Sequence, residues 1–204
     1  STVLLLHIRV LKDYGELLVV VPKREQSWKS KSMTRFGAIS HEEVFLDDQK
    51  IHILDGTPAD CANIGIHNIG EGKVDLVISG VNIGMNAGLS FVLSSGTVAA
   101  CLEANLSEVP GLALSQVFSA DVHDTYEKTG SLSKWLDIAE GHLLRAFPKI
   151  FEQARQSGLF SRPITHSANL PLALRDDFKV LVGPVAPAIY RQGFRKEENF
   201  YKHR

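Results

Sequence analysis

The chain has 204 residues, a formal net charge of -1 and 44% hydrophobic residues. This length supports one sizeable α/β core with a small appendage, and it is too short for two full domains. A net charge near zero provides no general attraction to nucleic acid duplexes or membranes, so any phosphate binding must be local. Cys61 and Cys101 lack CxxC spacing, which argues against a disulfide scaffold or zinc knuckle and predicts two small buried residues within helices.

The apolar stretches of the chain are all far shorter than a membrane-spanning helix. No charged and then apolar segment with a small-residue cleavage site can be identified near Ser1. We therefore expect a soluble, cytoplasmic protein with no membrane partner.

Short runs rich in Val, Ile and Leu predict strands that are covered on both faces, as in a parallel sheet. The five predicted strands are residues 3–6, 17–21, 74–78, 112–114 and 179–182. Because helical segments lie between several of these runs, the pattern predicts an α/β fold: a Rossmann-like, doubly wound, mostly parallel sheet.

Three segments are predicted to be helices. Residues 58–69 follow Thr57, a plausible N-cap, and begin with Pro58, whose missing N–H costs little at the first helical position. The other two are residues 96–106 and residues 132–156. The last of these ends just before Gly158, and glycine readily adopts the left-handed conformation that follows many helices.

Two segments depart from the alternation of strand and helix. Residues 37–54 show short alternating stretches, which predict a β-hairpin excursion from the main domain at residues 1–183. Residues 184–204 are rich in aromatic and charged side chains without an obvious packing partner in the chain. We expect a protruding tail that packs on another subunit, with a frayed terminus as the alternative.

The stretch after the first predicted strand is short for a crossover. A parallel crossover needs about a dozen residues or more, and residues 7–16 barely reach that length. The chain also begins at Ser1 without a methionine. One hypothesis is that a loop between Leu6 and His7 is missing from the sequence; an intact mass of 22.5 kDa would contradict it.

A loop rich in glycine and asparagine follows the strand predicted at residues 74–78. Within residues 79–88, three glycines alternate with Asn82 and Asn86. Glycine allows positive φ and lets a ligand approach the main chain, and asparagine offers both an acceptor for a cation and donors for phosphate. The loop contains no G-x-G-x-x-G fingerprint and no Walker A sequence.

The helix predicted at residues 96–106 begins directly after this region, at Ser95, Gly96 and Thr97. Hydroxyls and free N–H groups at a helix start favour an anion, so the two features together predict a phosphate site. An ordinary turn-rich loop capped by Thr97 is the alternative.

A second block, Asp-Gly-Thr-Pro-Ala-Asp-Cys at residues 55–61, reads as a tight turn that caps a helix. Asp60 falls in the first helical turn, where a negative charge is favoured. Taken alone, this block is interpreted as structural.

Taken together, the two blocks resemble the SurE (survival protein E) family. The resemblance rests on residues 55–61, on Asp-Leu-Val-Ile-Ser-Gly-Val-Asn-x-Gly-x-Asn-x-Gly at 75–88 and on Ser-Gly-Thr-Val-Ala-Ala at 95–100. It is dense over residues 51–116, and looser matches occur at residues 21–27, 169–171 and 190–201. It implies a Rossmann-like, divalent-metal-dependent phosphatase that acts on nucleoside monophosphates and assembles as a homodimer or homotetramer.

The resemblance also implies roles for particular residues. In the family the metal is held by two adjacent aspartates after the first strand, a serine and an asparagine; the latter two correspond to Ser27 and Asn82. Asn86 falls with the phosphate contacts, and Asn82 and Asn86 are the residues with an implied catalytic role. Ser95, Gly96 and Thr97 complete the implied phosphate site. An all-oxygen ligand set of this kind suits Mg²⁺ or Mn²⁺, with Ca²⁺ as a further option.

The aspartate pair of the family is absent from its expected place, because Leu6 is followed directly by His7. The adjacent aspartates at 47–48 and 176–177 do not follow the right strand and are interpreted as solvated turns. A basic run at residues 23–31 could attract anionic substrates or form a solvated loop.

Three functions remain open at this point. The first is a phosphomonoesterase for nucleoside monophosphates, with 5′- or 3′-nucleotidase or acid phosphatase character. The second is a catalytically inactive nucleotide- or phosphate-binding module that lacks the acidic metal loop. A dinucleotide-dependent oxidoreductase is compatible with the predicted sheet but lacks the fingerprint.

Overall fold

The computed structural model describes residues 2–188 and 192–203 and has an α/β architecture. Its α-helices are α1 (Thr2–Leu11), α2 (Pro58–Ile64), α3 (Leu89–Ser94), α4 (Gly96–Leu106), α5 (Ala120–Thr129) and α6 (Ser133–Gln156). A π-helical turn, Gly65–Ile69, continues α2, and a 3-10 turn, Leu159–Ser161, follows α6. The strands are β1 (Val19–Pro22), β2 (His41–Leu46), β3 (Gln49–Leu54), β4 (Val77–Ile83), β5 (Gly111–Gln116), β6 (Thr165–Leu170), β7 (Phe194–Glu197) and β8 (Phe200–His203).

The strands form two three-stranded sheets and a separate hairpin. In the first sheet the order is β1-β3-β2, with β1 parallel to β3 and β2 antiparallel to it. The second sheet is β4-β5-β6 and is parallel throughout, as the apolar runs predicted. The hairpin expected at residues 37–54 is confirmed as β2 and β3. It extends the first sheet, because β3 pairs along its length with β1.

Helices α2 and α4 connect the two sheets. Helix α2 packs on β1 and on α4, while α4 packs on β4 and β5. The side-chain amide of Asn63 in α2 donates a hydrogen bond to Glu103 in α4, with 2.8 Å between Nδ2 and Oε1. The two sheets are therefore joined through one pair of packed helices.

The prediction of a strand at residues 3–6 is wrong, because these residues belong to α1. The helix runs through Leu6 and His7, so no strand ends at that junction; the hypothesis of a missing loop there stays a prediction. A short apolar run has no periodicity that separates a buried strand from a buried helix. Val10 buries its side chain in the main core, and α1 packs on α6.

Helix α6 contributes the largest part of the core of the second sheet. Its buried residues recur every three or four positions, which places them on one face of the helix. They are Trp135, Ala139, Leu143, Ala146, Phe147, Ile150 and Ala154. This face packs against Leu112 and Leu114 of β5 and Leu170 of β6. Fully burying a large apolar side chain contributes about 1.5–3 kcal/mol, so this face anchors the second sheet.

The last predicted strand is also misplaced. Residues 179–182 have no regular secondary structure, and the strand that completes the second sheet is β6, Thr165–Leu170. Polar residues alternate in β6, so it lacks the apolar run that identified the other strands. Strand β6 ends at Leu170, within the looser family match at residues 169–171.

Part of the C-terminal segment contacts the rest of the chain, contrary to the expectation that it lacks a partner there. The backbone N–H groups of Leu89 and Ser90 donate to the carbonyl oxygens of Ala186 and Ala188, at 2.9 and 3.2 Å. Beyond this contact, β7 and β8 form an antiparallel hairpin.

The prediction of two buried cysteines within helices is confirmed for Cys61 in α2 and Cys101 in α4. None of the helices in the described ranges combines the length and apolar composition that crossing a membrane requires.

Candidate functional site

The loop after β4 has the backbone conformation that its glycines predicted. Gly80, Gly84 and Gly88 all have positive φ, between 89° and 116°. At Gly88 the main chain also approaches the C-terminal segment closely, because a Cβ there would lie 2.7 Å from the Cβ of Ala188. The loop therefore turns sharply above the carboxyl end of β4 and brings Asn86 back over the sheet.

Asn86 is the centre of a buried polar network. Its side chain is only 6% exposed, and its Nδ2 donates to Oγ of Ser115 at 2.9 Å. Its backbone N–H donates to Oδ1 of Asn169 at 2.8 Å, and its carbonyl oxygen accepts from Oγ of Ser167 at 3.2 Å. Asn86 is thus fixed from three sides at the carboxyl ends of β5 and β6.

Asn82 lies on β4 itself, in register with Ser115 of β5. Its side chain is half-buried, whereas Ser115 is completely buried. Ser115 therefore neighbours both asparagines, Asn82 through the strand register and Asn86 through a hydrogen bond. This pair forms one half of the candidate site.

The start of α4 forms the other half. Ser95 is the N-cap, and its Oγ accepts a hydrogen bond from the N–H of Val98 at 3.2 Å. The N–H groups of Gly96 and Thr97 lie in the first turn, where no carbonyl of the helix can accept them. Ser95 and Gly96 are buried and Thr97 is half-buried. The helix therefore presents free donors and the positive end of its dipole at this point.

The loop that carries Ser27 lies against this helix start. A Cβ at Gly96 would lie 3.2 Å from the carbonyl oxygen of Gln26, so the absence of a side chain permits the contact. Ser30 holds the loop in place: its N–H donates to the carbonyl oxygen of Ser94 at 3.1 Å, and its Oγ donates to that of Leu93 at 2.6 Å. Ser27 is exposed beside these contacts.

Asp60 anchors the far end of the same loop. Its carboxylate accepts from the N–H of Thr57 at 2.9 Å, from the N–H of Thr34 at 3.0 Å and from Oγ1 of Thr34 at 2.7 Å. The N–H of Asp60 in turn donates to Oγ1 of Thr57, which completes a capping box. The interpretation of this block as a capping structure is confirmed.

The ionisation of Asp60 follows from these contacts. Burial opposes the charged form, but the hydrogen bonds from Thr34 and Thr57 outweigh it and hold the pKa of the carboxyl below its ordinary value. Asp60 is therefore ionised at neutral pH, and its carboxylate links α2 to the loop that carries Ser27.

The basic run after β1 is largely paired with acidic side chains. Lys23 contacts Glu42 at 2.5 Å between Nζ and Oε1, and Arg24 contacts Asp55 at 3.4 Å between Nη2 and Oδ2. Lys31 also forms an ion pair, with the buried Glu103 of α4. These pairs favour a role in fixing the loop over the alternative of attracting anionic substrates.

The fit of a divalent cation to Ser27 and Asn82 is incomplete. A hydroxyl and an amide oxygen are hard donors, but both are neutral, and Oγ of Ser27 donates to Oε1 of Glu25 at 2.6 Å. Within the described ranges, the one group of three acidic, imidazole or thiol side chains with metal-like spacing lies on the β2–β3 hairpin. Mg²⁺ sites normally include at least one carboxylate, so these two residues do not constitute such a site by themselves.

The adjacent aspartates elsewhere do not supply this charge. Asp47 and Asp48 form the exposed turn between β2 and β3, as expected. Asp176 and Asp177 are exposed in a second turn, where they pair with Arg145 and Arg175.

Sequence reasoning missed the residues that hold Asn86 in place. Ser115, Ser167 and Asn169 each occupy a position in β5 or β6 and are recognisable only as polar residues near the ends of strands. Gln116 is a similar case: it is completely buried, and its Nε2 donates to the carbonyl oxygens of Val117 and Pro171. A polar residue within a buried strand is a usable signal, because burial without a hydrogen-bond partner is costly.

Comparison with known proteins identifies the family of the chain. The sequence profile of the family described as Survival protein SurE matches residues 1–185. A protein named 5′-nucleotidase SurE from Methanothrix thermoacetophila is 31% identical over 185 residues, which cover 90% of this chain and 68% of that protein. One of the same name from Methanopyrus kandleri is 30% identical over 190 residues, covering 93% of this chain and 69% of the relative.

Other matches cover less of the relative. A 5′-nucleotidase SurE from Thermoanaerobacter sp. is 39% identical over 115 residues, which cover 56% of this chain and 45% of that protein. The chain thus spans 45% of the length of the Thermoanaerobacter relative and 68% and 69% of the lengths of the other two. The crystal structure of a SurE protein from Aquifex aeolicus superimposes with a TM-score of 0.71 at 23% identity, covering 99% of this chain and 76% of that one, and shows the fold. The chain belongs to the survival protein SurE family.

Proposed function

We propose that this chain binds the phosphate group of a nucleoside monophosphate between the start of α4 and Asn86, and that it hydrolyses the phosphomonoester. The names of the relatives, 5′-nucleotidase SurE, support the reaction class and the substrate class. The observation that carries the proposal is that a rigid amide, Asn86, and a helix start with hydroxyls and first-turn N–H groups both follow β4, with Asn86 held at the carboxyl ends of β5 and β6. Open α/β sheets bind their ligands at this location.

The start of α4 supplies the main anion contacts in this proposal. The N–H groups of Gly96 and Thr97 point out of the first turn, and the Thr97 hydroxyl adds a further donor. The hydroxyl oxygen of Ser95 is committed to Val98, but its hydrogen is still available to a phosphate oxygen.

Asn86 completes the phosphate site. One hydrogen of its Nδ2 is used by Ser115, and the second can be donated to a phosphate oxygen. Because the network with Ser167 and Asn169 holds the residue in place, this donor needs no reorganisation as charge develops on the phosphoryl group. Asn86 would therefore stabilise the transition state as well as bind the substrate.

A divalent cation is part of the proposal through Ser27 and Asn82. Their oxygens suit Mg²⁺ or Mn²⁺, with Ca²⁺ as a further option, and such an ion when bound would polarise the phosphoryl group and a water molecule. The two neutral donors require negatively charged ligands from elsewhere, such as the substrate phosphate. Activity on both 5′- and 3′-nucleotides and acid phosphatase character are further parts of the proposal.

A second candidate is a nucleotide-binding module without catalysis. The observation that favours it is the incomplete donor set at Ser27 and Asn82, because phosphate binding at α4 does not depend on a cation. The two candidates share the anion site and differ only in turnover.

We also propose that residues 184–204 form a segment separate from the domain at residues 1–183 and contribute to a homodimer or homotetramer. Large apolar side chains are exposed on its hairpin at Phe194, Phe200 and Tyr201, which supports this role. Light scattering on the intact chain and on a Phe200→Ser variant would test it, with a lower oligomeric state expected for the variant.

The experiment for activity measures hydrolysis of p-nitrophenyl phosphate and a panel of nucleoside monophosphates, with Mg²⁺ or Mn²⁺ against EDTA. Removal of a preorganised donor or ligand typically costs about 10²–10³-fold in rate, which is the loss expected for Asn82→Ala and Asn86→Ala. Asn68→Ala is the matched control, because Asn68 is an exposed amide in the turn after α2.

Calorimetric binding of the nucleotides, with Thr97→Val as the variant, separates the two candidates. Metal-dependent turnover that is lost in Asn82→Ala and kept in Asn68→Ala supports the phosphomonoesterase. Nucleotide binding that weakens in Thr97→Val, without turnover under any condition, supports the binding module. If a folded protein neither binds nor hydrolyses any of these compounds, the phosphate site itself is refuted.

A further inference from the structure

The β2–β3 hairpin places two histidines and a glutamate on one face of the first sheet. Glu43 of β2 is the direct cross-strand partner of His52 in β3, and His41 is the partner of Leu54. Side chains two positions apart on a strand project to the same face, so His41 and Glu43 both lie next to His52. The three side chains are brought together by the strand register.

The ligand atoms of this cluster have the spacing of a metal site. Nε2 of His41 lies 3.0 Å from Nδ1 of His52, and Oε1 of Glu43 lies 3.3 Å from Nδ1 of His52 and 4.0 Å from Nε2 of His41. Donors around a tetrahedral ion with bonds of about 2.0–2.2 Å are separated by about 3.4 Å. Two of the observed separations, 3.0 and 3.3 Å, are shorter than this value, and the third, 4.0 Å, is longer.

The chemistry of the three atoms also favours a cation at their centre. Each neutral imidazole has one N–H and one lone pair, and an ionised carboxylate has only acceptors. At most one hydrogen bond can join the two ring nitrogens, and it uses the single proton between them. The lone pairs of Oε1 of Glu43 that face these nitrogens are then left without an N–H donor. Lys50 contacts the other carboxylate oxygen of Glu43, Oε2, at 3.2 Å and leaves Oε1 directed at the histidines.

We propose that His41, Glu43 and His52 bind one divalent transition-metal ion, with Zn²⁺ as the best match. Two imidazoles and one carboxylate suit a borderline ion of this kind, whereas Mg²⁺ and Ca²⁺ prefer all-oxygen sites. Three protein ligands leave a fourth position for water. The site is separate in residues and in ligand chemistry from the proposed phosphate site, and it does not depend on that proposal.

Burial gives the proposed site a rigid base and an open entrance. His52 is 5% exposed and is held in the centre of the sheet between β1 and β2, whereas His41 and Glu43 are exposed. A metal ion can therefore reach the cluster from solvent. Once bound, it would cross-link β2 to β3, so it should stabilise the hairpin by linkage.

The test is a Zn²⁺ titration of the tag-free protein by calorimetry, followed by thermal unfolding with and without Zn²⁺. Co²⁺ added in place of Zn²⁺ provides a visible absorption spectrum that reports the ligand geometry. We expect one equivalent of Zn²⁺ to bind and to raise the melting temperature. His41→Asn and Glu43→Gln should each weaken binding at least tenfold, and both replace exposed residues, so neither disturbs the core.

Three further variants make the result specific. His67→Asn is the matched control, because His67 is an exposed histidine outside the cluster, and it should bind Zn²⁺ like the wild type. Asn82→Ala should also retain the affinity, which separates this site from the proposed phosphate site. Lys50→Gln should bind Zn²⁺ more tightly, because it removes a competing positive charge. Absence of stoichiometric Zn²⁺ binding, or equal affinity in the wild type, His41→Asn and Glu43→Gln, would overturn the proposal.

Discussion

Replacing Asp60 with asparagine is expected to lower the free energy of unfolding by about 2–4 kcal/mol. The substitution keeps the shape of the side chain but places an NH₂ group where Oδ2 accepts from the N–H of Thr57 and from Oγ1 of Thr34. The threonine hydroxyl can rotate to accept a hydrogen bond, but the backbone N–H of Thr57 cannot. One charge-assisted bond, which contributes about 1.5–3 kcal/mol, is therefore lost, and a backbone donor loses its partner.

Urea unfolding of the two proteins measures this difference as a shift in the midpoint at constant slope. Asp121→Asn is the matched control, because Asp121 also lies in the first turn of a helix but is exposed. A surface charge at a helix start contributes about 0.3–1 kcal/mol, so the control should change little. A loss below about 0.5 kcal/mol for Asp60→Asn would refute the view that this carboxylate clamps the loop.

The pH dependence of the same pair of proteins provides a second check. The hydrogen bonds to Asp60 depress the pKa of its carboxyl in the folded state, so the unfolded state binds the proton more readily. The stabilisation is fully present above the ordinary pKa of about 3.8 and is lost as the pH falls through the lower, folded value. The difference between the wild type and Asp60→Asn should therefore shrink at acidic pH and stay constant between pH values of about 6 and 8.

Substitutions of two glycines should have opposite effects on stability. Gly80→Ala places a Cβ against the carbonyl oxygen of Leu114 at positive φ, so we expect the free energy of unfolding to fall by more than about 3 kcal/mol or the protein not to fold. Gly141→Ala lies in open space on α6, so it should raise the free energy of unfolding, measured in urea, by about 0.5–1 kcal/mol. Burial raises the pKa of Cys61 and Cys101 to about 12. Both thiols should therefore resist a thiol reagent at pH 8 and react only in denaturant; rapid reaction of the native protein would contradict the buried positions.

Elements with strong local signals could be predicted from the sequence. Thr57 and Pro58 identify the start of α2 because capping and a missing N–H act within one turn, and the same holds for Ser95 at the start of α4. The strands β1 and β5 were found because their apolar runs are continuous, although only β5 is completely buried and β1 is half-buried.

Elements whose identity depends on tertiary contacts could not be predicted in this way. The run at residues 3–6 is equally suited to a strand or a buried helix, and only the packing of α1 as a whole on α6 decides between them. Four of the six residues of β6 are polar, and two of them, Ser167 and Asn169, belong to the network around Asn86, which becomes visible only when the strands are placed side by side.

The candidate site shows the same division. The glycine-rich loop and the start of α4 were identified from residue types, and the structure places Ser27 near Gly96 through the carbonyl of Gln26. The network partner Ser115 could not be predicted, because a serine in a strand carries no local signal for the residue that it will contact. The His41 cluster was missed for a similar reason, since its members are separated in sequence and meet only through the hairpin register.

The two residues proposed to bind the cation belong to different sheets, with Ser27 following β1 of one sheet and Asn82 on β4 of the other. The distance between them is consequently set by how tightly α2 and α4 approach each other. Pro58 and Gly96 stand close at this interface, since a Cβ at Gly96 would lie 3.1 Å from Cγ of Pro58. A larger residue at position 96 would push the helices apart and open the site. The missing side chain at Gly96 thus sets the spacing of the two helices, and with it the width of the proposed phosphate site.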